Sequence, residues 1–251
     1  MAINVDTVYK TVLLILNKEQ RGYITPNEFN KISTQVQLEI FEQYFEDLNQ
    51  QLRLPDNDNE YADRIKHIDT KIGIFKTYGT AVYNNVTTPN EPFFYLPADL
   101  HRFGTLIYKG EQEVQETDHK EYLHLNMSHL TRPTTNYPLY ILQGQYDSNA
   151  PAIPPILHDT VYVYPSEITT DVTISYVRKP VNVVWGFTTN PAANNAYIYD
   201  VNTSVNFEID STEQVEVILR VLMYAGVVIR DPQIIQAAAQ QVQYNEMNQK
   251  Q

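Results

Sequence analysis

Among its 251 residues the chain has no cysteine, one tryptophan and only eight glycines. Without cysteine there are no disulfide staples, no thiolate nucleophile and no Cys-ligated zinc. A reducing compartment is compatible with that composition. The few glycines form neither a Gly-x-Gly-x-x-Gly nor a phosphate-loop pattern, and no Gly-x-Ser-x-Gly elbow occurs. Long apolar runs are also missing. The longest, Val12 to Leu16, falls far short of the ~20 residues that a membrane span needs. No basic region followed by a long apolar core opens the chain, so no signal peptide is expected. Basic residues are scarce: 18 against 30 acidic ones, a formal charge of −12. A surface this acidic repels phosphate, so tight nucleic-acid binding is not expected.

What the chain has in quantity is tyrosine, 19 residues of it, with loops rich in Asn and Gln. Tyrosine offers a rigid apolar body and a polar tip, which suits protein interfaces. By segment the net charge is −3 for residues 1–80, −8 for 81–210 and −1 for 211–251. A chain of this length is one large domain or two small ones, and buries roughly 70–75% of its unfolded surface.

The first third reads as helix. Val5, Val8, Val12, Leu13, Ile15 and Leu16 form an apolar stripe over residues 3–19, with Asn4 or Asp6 as the cap and Gly22 as the stop. Thr25-Pro26-Asn27-Glu28 is a capping box with Pro at the first helical position. Phe29, Ile32, Val36, Ile40, Tyr44, Leu48 and Leu52 then recur at three or four residues, and Phe41 and Phe45 widen the stripe. The helix to Leu52 is about 40 Å long, which points to more than one packing partner. Pro55 to Asn59 is a polar turn lacking the glycine and glutamate of a calcium loop. Tyr61, Ile65, Ile68, Ile72 and Phe75 predict a third helix over 59–76, weakened at Gly73.

From Tyr78 the character changes to short β-branched and aromatic runs bounded by turn residues. Asn84-Asn85 and Thr87 to Asn90 read as loop. Phe93 to Leu96 and Phe103 to Tyr108 read as strands, followed by a turn at Lys109-Gly110-Glu111. Asp118-His119-Lys120-Glu121 reads as a second capping box, opening a short helix through Leu125. The stretch from Tyr137 to Pro180 carries three strands of one expected antiparallel meander, with a Pro-rich loop after the first. Thr188 to Asn195 reads as an Asn-rich loop. Tyr197 to Tyr199 and Ser204 to Ile209 are two more short strands. Val215, Ile218, Leu219 and Leu222 mark a helix capped at Asp210 or Ser211 and ending near Gly226. Another helix is expected from Pro232 to about Tyr244; its thin apolar content requires a dock.

The expected fold is therefore α+β: an N-terminal long-helix hairpin or bundle (1–80), a central small antiparallel sheet or sandwich (81–210), and C-terminal helices with a docking tail that pack back (211–251). No catalytic constellation emerges. His119, His124 and His129 lie five apart, which does not stack imidazoles on one helix face, and His67, His101 and His158 are isolated, so no metal site is nominated. Arg178-Lys179-Pro180, Arg220 and Arg230 read as partners for the many carboxylates. No catalytic, cofactor-binding or metal residue is assigned, and the chain is not read as an enzyme.

Five stretches carry a resemblance: Phe94-Tyr95-Leu96-Pro97-Ala98-Asp99-Leu100; Tyr137-Pro138-Leu139-Tyr140; Val163-Tyr164-Pro165; Ser175-Tyr176-Val177-Arg178-Lys179-Pro180; and Asn206-Phe207-Glu208-Ile209-Asp210 with the helix after it. In order and wording they resemble virion structural proteins of the crAss-like tailed phages of gut bacteria, in particular their head–tail connector (ring, adaptor) proteins. The resemblance implies a homo-oligomeric ring, usually dodecameric, below the portal. It would contact the portal protein and other connector or tail rings, within a virion assembled from protein made in the bacterial cytoplasm. DNA would pass through the lumen without sequence-specific binding, and no membrane or cofactor is implied. A heterologous ring suits the long helix and the tail helix, and the acidic middle segment suits a channel wall that repels DNA. The alternative is a tail-associated receptor-binding or fibre-attachment module, although no internal repeat occurs. A host scaffold or adaptor is the third reading.

Overall fold

The computed structural model describes residues 2–18, 23–53, 59–85, 92–147, 157–190, 196–229, 236, 239–244 and 247. In chain order the elements begin with β1 (Ala2–Ile3), α1 (Val5–Lys18), α2 (Pro26–Arg53) and α3 (Asn59–Gly73). Strands β2 (Lys76–Thr80), β3 (Val82–Asn84), β4 (Phe93–Tyr95), β5 (Leu100–Tyr108) and β6 (Gln112–Glu116) follow. After α4 (His119–Met127) come β7 (Leu139–Asp147), β8 (Leu157–Tyr164), β9 (Val172–Arg178), β10 (Phe187–Asn190), β11 (Ala196–Tyr199), β12 (Phe207–Asp210) and α5 (Gln214–Ile229). The chain is mixed α/β. It divides into two compact units: residues 1–74 with 180–251, and residues 75–179. These cut across the expected segments 1–80, 81–210 and 211–251. Strand β12 pairs with β1, and α5 packs on α1 and α2, which gathers both chain ends into one unit.

In the first unit, Asn4 caps α1 by accepting from the amides of Asp6 (2.9 Å) and Thr7 (3.1 Å). The Thr25 box forms as the sequence predicts: the Thr25 amide donates to Glu28 Oε2 at 2.9 Å, and the Glu28 amide to Thr25 Oγ1 at 3.4 Å. Those bonds from Thr25 hold the Glu28 carboxyl below its ordinary value. Helix α2 buries Phe29, Val36, Ile40, Phe41, Tyr44 and Phe45, as the stripe requires, but Leu52 at its end is exposed. Helix α3 stops at Gly73 rather than Lys76, and α5 runs through Gly226 to Ile229 rather than ending there.

A polar row on α2 escapes the hydrophobic pattern altogether. Asn30, Thr34 and Gln37 line one face and serve the backbone of the extended segment 181–185. Trp185 N donates to Asn30 Oδ1 (2.7 Å), Val183 N to Thr34 Oγ1 (3.2 Å), and Gln37 Nε2 to the Val181 carbonyl (2.7 Å). Seven helical residues rise about 10.5 Å and four extended ones about 13 Å, so three rungs fit before the two elements drift apart. The helix side chains thus stand in for a neighbouring strand. Trp185 is buried here against Tyr9 (4.4 Å between ring centres), and its indole N–H donates to Asp6 Oδ1 at 3.1 Å.

The second unit is an eight-stranded mixed sheet in the order β2-β9-β5-β6-β7-β8-β4-β3. Its first and last strands are consecutive in sequence, joined through Ala81 alone, whose amide donates to the Val172 carbonyl at 3.0 Å. One residue spans at most ~3.6 Å, so the sheet must curl until its edges approach, giving a nearly closed barrel. This replaces the expected small antiparallel sheet or sandwich. Phe94, Leu96, Leu106, Val161, Val172 and Ile174 fill the interior, as a barrel of this strand number requires. The expected three-strand meander is also corrected. Strands β7 and β8 pair, but β9 lies between β2 and β5, because the other edge of β8 is taken by β4. Strand β5 bulges around Gly104, where a Cβ would meet the Ser175 carbonyl oxygen at 2.3 Å. The unit's two ends are zipped together: Lys76 pairs with Val177, and Arg178 N donates to the Phe75 carbonyl at 3.0 Å.

Strand β10 replaces the start of the expected Asn-rich loop and pairs with β11, Thr188 opposite Ile198. Residues 236, 239–244 and 247 are helical, within and just beyond the expected terminal helix. The expectations at Gly22, Pro55 to Asp58, Thr87 to Asn90, the Pro-rich loop from Pro151, Pro191 to Asn195, Arg230, and Asp231-Pro232 lie outside the described residues.

Candidate interaction surface

Strands β6 and β7 run parallel, Gln115 beside Leu139 and Glu116 beside Tyr140. Parallel neighbours cannot be joined by a tight turn; the connection takes a dozen or more residues, usually with a helix. Residues 117–138 make that crossover and contain α4. Its ends are pinned. Thr117 N donates to the Tyr140 carbonyl at 3.0 Å and Gln115 N to that of Pro138 at 3.1 Å, and Thr117, Pro133 and Pro138 are buried. Tyr122 stacks on Tyr164 with ring centres 4.0 Å apart. Beyond the helix, Thr131 Oγ1 donates to the Leu125 carbonyl (2.9 Å) and Arg132 N to that of Ser128 (3.1 Å). The second expected capping box does not form. Asp118 makes no side-chain cap, and the Glu121 carboxylate instead accepts from the Thr117 hydroxyl at 3.2 Å.

No residue of α4 is buried. Leu123 is 52% exposed, Met127 84%, Leu130 93% and Tyr137 80%. The spacing of four and three from Leu123 to Leu130 lays these side chains along one ridge. His119, His124 and His129 are exposed on the same crossover. From Tyr122 to Tyr146 there is no carboxylate, so the ridge is apolar with Arg132 as its formal charge. The sequence reading missed this surface. The 123/127/130 spacing carries the signal, but spacing alone does not say whether a face turns inward or outward.

The buried charge of the molecule lies elsewhere, on the helices of the first unit. Lys71 pairs with Glu213, and Arg220 pairs with Glu216 at 2.6 Å. Arg220 also donates to Gln43, and the Tyr224 hydroxyl to Glu39. Burial pushes the Glu216 carboxyl up, against the pull of Arg220. Hydrogen bonding to Glu39, with burial, raises Tyr224 to about 12. The Tyr44 hydroxyl is buried without a hydrogen-bond partner, and burial beside Glu213 and Glu216 raises it further. Arg220 is a carboxylate partner, as its sequence context implied. Arg178 places its guanidinium over the Phe75 ring at 6.0 Å and donates to the Lys179 carbonyl.

Along the outer side of α2 runs a groove of about 380 Å³. Four carboxylates (Glu39, Glu42, Glu46 and Asp47) and one guanidinium, that of Arg220, line it, with Leu38 as an apolar spot. Glu42 and Glu46 face solvent. Among the described residues, no group of three His, Asp or Glu side chains is placed to hold a metal ion, and no helix is long and apolar enough to cross a membrane. No protein-family model matches the chain, and no curated protein matches it.

Proposed function

We propose that this chain is a structural virion protein that assembles into a homo-oligomeric ring of the head–tail connector, below the portal and beside other connector or tail rings. The observation that carries the reading is the α4 crossover. It places three apolar side chains in a row in solvent, on a connection pinned at both ends, which is how a surface kept for a protein partner is built. The five quoted stretches support the choice of family, and the acid excess suits a lumen through which DNA passes without being held.

Light scattering and negative-stain imaging of the purified chain test this. Rings of about a dozen copies are the expected outcome. A trimer would overturn the ring and favour a tail-associated fibre or receptor-binding module. If the purified chain is monomeric, imaging of intact virions with a label on this chain decides. Absence of the label from the head–tail junction would sink the proposal.

A further inference from the structure

We infer that the α4 ridge of one copy seats on the acidic α2 groove of the next copy, making the head-to-tail contact of the assembly. This deepens the ring reading and rests on it. The occupant follows from complementarity. The ridge offers Leu123, Met127 and Leu130 with Arg132 and no carboxylate, while the groove offers four carboxylates around Leu38. The groove's own cation is committed internally, since Arg220 is bound by Glu216 and Gln43. Its acid excess is therefore directed outward, and the ridge supplies a carboxylate-free surface to meet it. Because ridge and groove are different surfaces, each copy keeps one of each free after a single contact, which is the condition for continuing around a ring.

The absence of native cysteine makes the test clean. Met127→Cys and Glu42→Cys are made as separate single variants of the full chain, and as one double variant. Oxidation of the mixed singles is expected to give a covalent Met127→Cys/Glu42→Cys dimer that tryptic mass spectrometry identifies. The double variant is expected to give a ladder beyond the dimer. A second pair of variants, Met127→Asp and Leu130→Asp, should weaken self-association at least tenfold with an unchanged circular dichroism spectrum. No cross-linked species at any protein concentration, or a ladder that stops at a dimer, overturns the inference. Wild-type rings without the cross-link would leave the ring reading standing and remove this interface. A cross-linked assembly that images as a trimer would keep the interface and remove the ring.

Discussion

Glu213, Glu216 and Arg220, the buried charged side chains among the described residues, all belong to the helical unit. The sheet unit fills its interior with apolar and aromatic side chains and, among its described polar residues, buries only Thr117 and Thr160. Geometry explains the contrast. Inside a small barrel every inward position faces other side chains across a closed space, with no route to water for a charged head. Between α2, α3 and α5, long side chains run along the helix surfaces and meet one another, so Lys71, Glu213, Glu216 and Arg220 complete their pairs there. A buried pair of this kind adds little net stability over an apolar replacement, yet losing one partner is costly. We take its role to be fixing which rung of α5 faces which rung of α2.

The largest effects should come from breaking each core by its own logic. Arg220→Met leaves Glu216 buried without its cation and should cost about 3–5 kcal/mol. Phe94→Ala, in the barrel interior, should cost about 3–5 kcal/mol by opening a cavity. Trp185, the only tryptophan, belongs to the helical unit, so its fluorescence in a urea titration follows that unit, while far-UV circular dichroism also follows the sheet. The decisive variant is Arg220→Met combined with Glu216→Leu. It should return to within about 1 kcal/mol of wild type, because no unpaired charge remains. A double variant as unstable as the single would show that the pair supplies stability rather than register.

A smaller effect is expected where two strands approach too closely for any side chain. In Gly104→Ala the new Cβ would meet the Ser175 carbonyl oxygen at 2.3 Å. The backbone must shift across the β5–β9 pairing, at a cost of about 1–3 kcal/mol. The same change at Gly73, with open space around its Cβ position, should be neutral or stabilising. Urea midpoints for the two variants check this, and a neutral Gly104→Ala would mean that the bulge tolerates a side chain.

The helices were legible because their information is local. The Thr25 box, the α2 stripe and the Val215 to Leu222 face each lie within a few turns of chain. The sheet was legible only as pieces. That β9 lies between β2 and β5 rather than beside β8 depends on residues far away along the chain, as in the pairings of Tyr108 with Val172 and Lys76 with Val177. Periodicity carries no such register. The Asn30, Thr34 and Gln37 row was overlooked because a polar helix face reads as solvated, and nothing local says that a strand will lie on it. The α4 ridge failed in the opposite sense, since apolar spacing alone does not tell a face turned to the core from one turned to solvent.

A still smaller effect tests a local reading directly. Thr25→Ala removes the cap of α2 and should cost about 1 kcal/mol at neutral pH. Glu28 is held below its ordinary value of 4.5 by Thr25. A depressed carboxyl contributes stability that is fully present above the ordinary value and is lost as the pH falls through the lower, folded one. The gap between wild type and Thr25→Ala should therefore be widest above pH 4.5 and narrow at lower pH. Urea midpoints at about pH 7 and about pH 3 measure it, and a gap that does not change with pH would mean that the box contributes no proton-linked stability.

The smallest expected change in folding stability is at the ridge itself. Leu130 is 93% exposed, so Leu130→Asp removes almost no buried apolar surface and should leave the urea midpoint of the monomer within about 0.5 kcal/mol of wild type. An apolar side chain in the barrel, such as Leu106, cannot be treated this way; burying a carboxylate there would prevent folding. The comparison then turns on the sign of two measurements in one variant. An unchanged monomer midpoint with lost self-association assigns Leu130 to a partner surface. A lowered midpoint would mean that the crossover supports its own unit, and the ridge would no longer be a surface held ready for another chain.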